Sequence, residues 1–182
     1  MGIASPFIEN NCNLSGSPVG AGELGYMIMD LKMPFGPWGS TGSLNSLAGM
    51  RALKEQAHDA VINGKAPYLA KICGSNQPSI EQIMESAKYD STIDNLVRNV
   101  VFYLGVAIAN QDNLMRPHSI LVDAPYFCSE KYRDLFIKTL YQYSFCPSSF
   151  KFNVFFIERD ALNGSRSAAA VAIRNDFNEY IG

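Results

Sequence analysis

Ser119-Ile120-Leu121-Val122-Asp123-Ala124-Pro125 is a short apolar run stopped by a proline, and the residues on either side of it decide the fold. Ile120 to Val122 has the β-branched composition of a buried strand. From Ser129 to Tyr143 the rhythm changes. Tyr132, Leu135, Phe136, Thr139, Leu140 and Tyr143 recur at helical spacing and mark one inward face. Phe152 to Ile157 is β-rich again. Strand, helix and strand with short links predict a right-handed parallel crossover and an α/β core. Ser165 to Ile181, opening Ser-Arg-Ser-Ala-Ala-Ala, predicts a closing helix.

Upstream, the clearest helix is Ile93 to Asn110. Ile93, Leu96, Val97, Val100, Val101, Leu104, Ala107 and Ile108 form a wide apolar stripe, which places it in the core. Ser43 is an N-cap for a helix running to about Val61, with Leu47, Met50, Leu53 and Ala57 on one face and Asn63-Gly64 ending it. A second helix runs from Ile80 to about Lys88 after Gln77-Pro78-Ser79. Leu24 to Leu31 alternates as a strand, and Ile3 to Ile8 is a short apolar run of the same kind. Between them, Asn10 to Pro18 is turn chemistry. Lys32 to Gly42 holds three glycines and two prolines in eleven residues, so it is a structured loop of the sort that binds or covers something.

Composition narrows the function. With 182 residues, 47% hydrophobic and 18% charged, the chain has the make-up of one globular domain. A net charge of −2 without basic runs leaves no footprint for nucleic acid. Cys12, Cys73, Cys128 and Cys146 are scattered, with no C-x-x-C pair, and read as free thiols of a reducing cytoplasm. Met1 is not followed by a secretory signal, and the longest apolar stretch, Val100 to Ala109, is too short for a bilayer. The expectation is a cytoplasmic protein with no membrane partner.

Few residues carry chemistry on their own. His58 beside Asp59 reads as a solvated helix residue and His118 as a loop histidine. Neither has a ligand at metal spacing, so no metal is expected there. Asp123 ends a strand where α/β folds gather ligands, though Pro125 favours a plain turn. Neither a P-loop, a G-x-G-x-x-G nor a nucleophile elbow occurs. The aromatic residues from Tyr126 to Phe156 lack interleaved basic residues, and so suit a core and subunit contact better than base stacking. Glu23, in Ala21-Gly22-Glu23-Leu24-Gly25-Tyr26, can accept hydrogen bonds from two adjacent sugar hydroxyls, or it can be an ordinary loop carboxylate.

Five segments in order resemble the ROK family (repressors, open reading frames, sugar kinases). Pro18 to Tyr26 is similar to the family's Ala-Gly-Glu-x-Gly-His segment. Gly36-Pro37-Trp38-Gly39-Ser40-Thr41-Gly42-Ser43-Leu44-Asn45 has the spacing of its Cys-x-Cys-Gly-x-x-Gly-Cys-x-Glu. Leu104 to Asn110 looks like its Leu-Gly-x-x-x-Ala-Asn helix. Arg116 to Pro125 stands where it writes Asn-Pro-x-x-Ile-Val-Ile-Gly-Gly-Gly, and Ala161 to Ala170 resembles its ending. The resemblance implies an actin-like ATPase, ribonuclease H-like fold, with residues 1–182 as the single larger C-terminal lobe. The family's N-terminal lobe, with its phosphate loop and catalytic aspartate, and any winged helix-turn-helix would then lie outside this chain.

The departures matter as much. The family's zinc ligands are replaced by Tyr26, Gly36, Trp38 and Ser43, so no zinc is expected. Its second sugar-binding Glu is Asn45, and its triple glycine beside the nucleotide is Asp123-Ala124-Pro125. The resemblance thus implies a sugar-sensing, dimerising domain of a transcriptional regulator of carbohydrate metabolism, with no cofactor and no catalysis of its own. Glu23, Asn45 and Tyr26 would hold a sugar or sugar phosphate, a homodimer would form, and DNA would be met only through a domain outside the chain. Two alternatives stand beside it: the C-terminal half of a sugar kinase, and a scaffold that binds no sugar.

Overall fold

The computed structural model describes residues 2–9, 12–13, 21–33, 42–145 and 150–157. The expected helix Ser165 to Ile181, and Gly36 and Trp38 of the loop, lie outside these residues. In chain order the strands and α-helices are β1 (Ile8–Glu9), β2 (Cys12–Asn13), α1 (Leu44–Ala48), α2 (Met50–Ile62), α3 (Pro67–Cys73), α4 (Ile80–Ser86), α5 (Ser91–Met115), β3 (Ile120–Val122), α6 (Glu130–Tyr143) and β4 (Val154–Phe156).

The parallel strand–helix–strand arrangement expected from the sequence is present. β3 pairs parallel to β4, with Ile120 opposite Val154, Leu121 opposite Phe155 and Val122 opposite Phe156. α6 links the two strands, and one face of the pair rests on it through Phe156, whose ring lies 6.0 Å from Phe136 and 5.0 Å from Phe127. The structure is α/β, with most of its core supplied by helices.

α5 is the spine. Ile93, Val97, Val100 and Val101 are buried, and the helix packs along α6 and against α1 and α2. By length and composition alone it would also pass as a membrane span, but these burials and contacts make it the core helix. Gly105 lets α6 approach closely: a Cβ there would lie 2.8 Å from Cβ and Cγ2 of Thr139. The two helices are also tied by Asp94, which accepts from Lys131 Nζ at 2.8 Å and Tyr132 Oη at 2.7 Å. Arg98 on the same helix donates to its other oxygen. Burial works to raise the Asp94 pKa, but the hydrogen bonds from Lys131, Tyr132 and Arg98 outweigh it and hold the carboxyl below its ordinary value.

Three local expectations change. Leu24 to Leu31 is not a strand. Leu24–Tyr26 forms a single 3-10 turn, and only Ile28 makes an isolated bridge, to Ser43. The helix expected from Ser43 to Val61 breaks at Gly49, where ψ swings to 147° between α1 and α2. α3, with Pro67 in its first turn, was not foreseen. Its N-terminal amides at Tyr68 and Leu69 both donate to Asp90, a partner 21 to 22 residues away that local pattern does not reveal. Ser43 does cap its helix as read, and Ser79 caps α4 within a full capping box with Gln82.

Candidate functional site

Glu23 stands at the head of the 3-10 turn, exposed, with no side-chain cap to the turn. Backbone hydrogen bonds hold the turn from both sides. Ser5 N–H donates to Gly22 O at 2.7 Å, and Gly25 N–H donates to Ile3 O at 2.8 Å. Within the turn, Tyr26 N–H reaches Glu23 O and Met27 N–H reaches Leu24 O. The carboxylate is therefore carried on backbone anchored to the first extended segment. Tyr26, at the far end of the turn, is 60% exposed.

Asn45 lies beneath this turn, in the first turn of α1. Its Oδ1 accepts the N–H of Ile3 at 2.9 Å, and a Cβ on Gly25 would fall 2.3 Å from the same oxygen. Only a glycine admits this approach. The structure thus gives Asn45 a bracing contact that the sequence did not indicate: one carboxamide fixes both the first segment and the Glu23 turn. Its Nδ2 makes no hydrogen bond among the described residues.

Of the four positions where zinc ligands would stand, Tyr26 and Ser43 are described. Ser43 is fully buried, and its Oγ accepts from Ser46 N–H as the cap of α1. Asp123 is exposed at the end of β3, and Ala124-Pro125 turns at once into a 3-10 segment, Pro125–Cys128, with Pro125 at its start. His58 is half-buried on α2, and His118 is exposed just before β3. No group of three or more His, Cys, Asp or Glu side chains fit to hold a metal occurs among the described residues.

A cleft of about 1410 Å³ runs between residues 2–9 on one side and the α5 to β3 region on the other. Leu24, next to Glu23, reaches its wall, as do His118, Asp123 and Asp112. Asp112 was missed in the sequence because the helix was read as ending at Asn110, whereas α5 continues to Met115 and buries it. It is 1% exposed, its Oδ2 is 3.4 Å from Arg116 Nη1, and its Oδ1 has no partner among the described residues. Asn113 beside it fastens α5 to the end of α6, donating to Tyr143 O at 3.0 Å and accepting from Phe145 N–H at 2.6 Å.

A family model described as the ROK family matches residues 1–158. Among solved structures the chain is similar to a ROK family transcriptional regulator described as a homologue of the E. coli MLC protein. That match has a TM-score of 0.73 and 23% identity, and covers 86% of this chain and 39% of that one. It is also similar to a ROK family glucokinase from Streptomyces griseus in complex with glucose and AMPPNP (TM-score 0.72, 19% identity, 85% of this chain and 52% of that one). A third similar structure is a ROK family protein from Streptococcus pneumoniae TIGR4 in complex with sucrose (TM-score 0.61, 15% identity, 88% and 51%). The chain spans about half the length or less of these structures. At these identities the likeness is one of fold, the actin-like α/β fold of ROK proteins. No curated protein matches by sequence.

Proposed function

This chain belongs to the ROK family, and we propose that it is the sugar-sensing C-terminal lobe of a regulator of carbohydrate metabolism, without kinase activity of its own. Glu23 accepts hydrogen bonds from two neighbouring hydroxyls of a sugar or sugar phosphate. Tyr26 offers its ring and hydroxyl at the edge, and Asn45 contributes Nδ2 while its oxygen keeps the turn in place. The observation that carries this reading is the exposed Glu23 carboxylate on a turn held at Gly22 and Gly25. A fixed acceptor loses little freedom when a polyol binds.

Support for a regulator over a kinase comes from the end of β3. Phosphoryl transfer to a sugar is achieved mainly by positioning and by stabilising charge on the phosphate. A carboxylate at Asp123 followed by Pro125 opposes both at the corner where the resemblance places the nucleotide. Sugar binding acts by favouring one of two arrangements of the protein, and only differential affinity can shift that balance. The proposed partners are a sugar or sugar phosphate and a second copy of the chain. DNA is reached through a domain outside it, and the proposed compartment is the cytoplasm.

Calorimetry with hexoses, N-acetylhexosamines and their phosphates tests the reading, with Glu23→Ala as control. Heat from one sugar class that Glu23→Ala abolishes, without ATP turnover, is the expected result. Hexose-dependent ATP hydrolysis by the purified chain would replace the regulator with a kinase. Silence with every sugar would leave a scaffold.

A further inference from the structure

The Glu23 turn is gripped on both flanks by residues that are themselves held from elsewhere. On one flank Gly25 N–H donates to Ile3 O, and Ile3 N–H donates to Asn45 Oδ1 of α1. On the other, Ser5 N–H donates to Gly22 O at 2.7 Å. Ser5 has its own anchor, on α5. Its Oγ donates to Gln111 Oε1 at 2.8 Å, bridging 106 positions of sequence, and Gln111 Nε2 donates back to Ser5 O at 3.4 Å. One carboxamide therefore holds the hydroxyl and the carbonyl of a single residue, using its acceptor and its donor together.

We infer that Gln111 is a positioning residue for the Glu23 site. Through Ser5 it fixes the Gly22 side of the turn, so that α5 sets where the Glu23 carboxylate stands and senses what occupies it. The inference rests on the reading of Glu23 as the sugar acceptor. Gln111 acts only through Ser5, since both of its side-chain hydrogen bonds among the described residues go there.

The contact between Ser5 and the turn leaves no slack. Gly22 has a φ of 83°, and a Cβ on it would fall 2.8 Å from Ser5 O and 3.1 Å from Pro6 Cα. A shift of Ser5 is thus passed to Gly22, and Glu23 is the next residue. Pro6 disfavours helical backbone at Ser5, which limits how far its amide can swing away from Gly22. Both Ser5 and Gln111 are half-buried, so water competes less for their hydrogen bonds than at an open surface. α5 also meets the other end of the turn. Asn110, beside Gln111, places Nδ2 3.9 Å from Sδ of Met27, the residue that closes it. By reciprocity, a ligand that binds better when the turn is held must itself tighten the hold, by the same factor.

The test uses the whole chain, with calorimetry on the sugar panel, beginning with D-glucose and N-acetyl-D-glucosamine, and amide hydrogen exchange. Ser5→Ala and Gln111→Ala should each weaken binding of the sugar that Glu23→Ala abolishes by roughly three- to tenfold, the worth of one hydrogen bond. The double variant should lose no more than either single one, because both remove the same contact. Gln111→Glu keeps an acceptor for the Ser5 hydroxyl and should regain most of the affinity. In Gln111→Ala, exchange should quicken at Tyr26, whose N–H is held by Glu23 O, while buried Val100 and Leu140 stay unchanged. In the wild type, bound sugar should slow Ser5 and Tyr26 together. Undiminished affinity in Gln111→Ala, additive losses in the double variant, or exchange that quickens at Ser5 but not at Tyr26 overturns the inference and leaves the sugar reading standing. No heat from any sugar with the wild type removes the sugar reading, and this inference with it.

Discussion

Asn45 Oδ1 accepts the backbone N–H of Ile3 at 2.9 Å, bridging 42 positions of sequence. It ties the first extended segment to α1 and lies directly under the turn that carries Glu23. This contact turns a position read as a sugar ligand into one that also holds the proposed site in shape.

Asn45→Ala should lower stability by about 1–2 kcal/mol, since it strands a part-buried N–H. It should also free the Ile3 amide to exchange. Asn45→Asp keeps the acceptor and should restore both. Chemical denaturation and hydrogen exchange at Ile3 check this. Equal loss in the two variants would remove the acceptor from the account.

Gly25→Ala should cost about 1–3 kcal/mol by overpacking against the carboxamide. The cost should shrink in Gly25→Ala with Asn45→Ala, because the atom struck is gone. A double-mutant cycle by urea unfolding measures the coupling, and simple additivity would contradict the geometry.

Stability should depend on acid through Asp94. Its carboxyl is held below the ordinary value in the folded chain, so its contribution is complete above about pH 5 and disappears as pH falls through the depressed folded value. Asp94→Asn should flatten that part of the profile, and at pH 7 it should cost about 1–2 kcal/mol. Unfolding curves between pH 2 and 7 are the measurement. An unchanged slope would mean the ties to Lys131 and Tyr132 carry no net energy.

Gly105→Ala should destabilise by about 1–3 kcal/mol, because the new methyl meets Thr139 across the α5–α6 contact. Thr139→Ser, which removes one of the atoms struck, should recover part of the loss. Melting curves of the two single variants and the double variant decide it.

Chelation should leave the protein unmoved. Ser43 is buried as a helix cap, Tyr26 faces solvent, and glycine and tryptophan at positions 36 and 38 offer no thiolate. Melting with and without EDTA should coincide, and elemental analysis should find no stoichiometric zinc. One zinc per chain would refute the reading of these four positions.

The strand–helix–strand at Ile120 to Phe156 and the spine at Ile93 to Asn110 were legible because their signals are local. Apolar period and β-branched composition do not depend on distant residues. The cap at Ser43 was legible for the same reason. Leu24 to Leu31 was misread because alternation suggested a strand, whereas Gly25 is drawn into a turn by Ile3 and Asn45, both some twenty residues away. α3 escaped because its start is satisfied by Asp90, far along the chain.

By itself, then, the amino-acid order determined the long core helix, the helix before β4 and the parallel pair of strands. Those are properties of side-chain type and spacing. Only the tertiary structure decided that Asn45 braces the Glu23 turn and that Asp90 closes the start of α3. Such relations arise from where the chain brings remote backbone edges and side chains together, and no local window contains both partners.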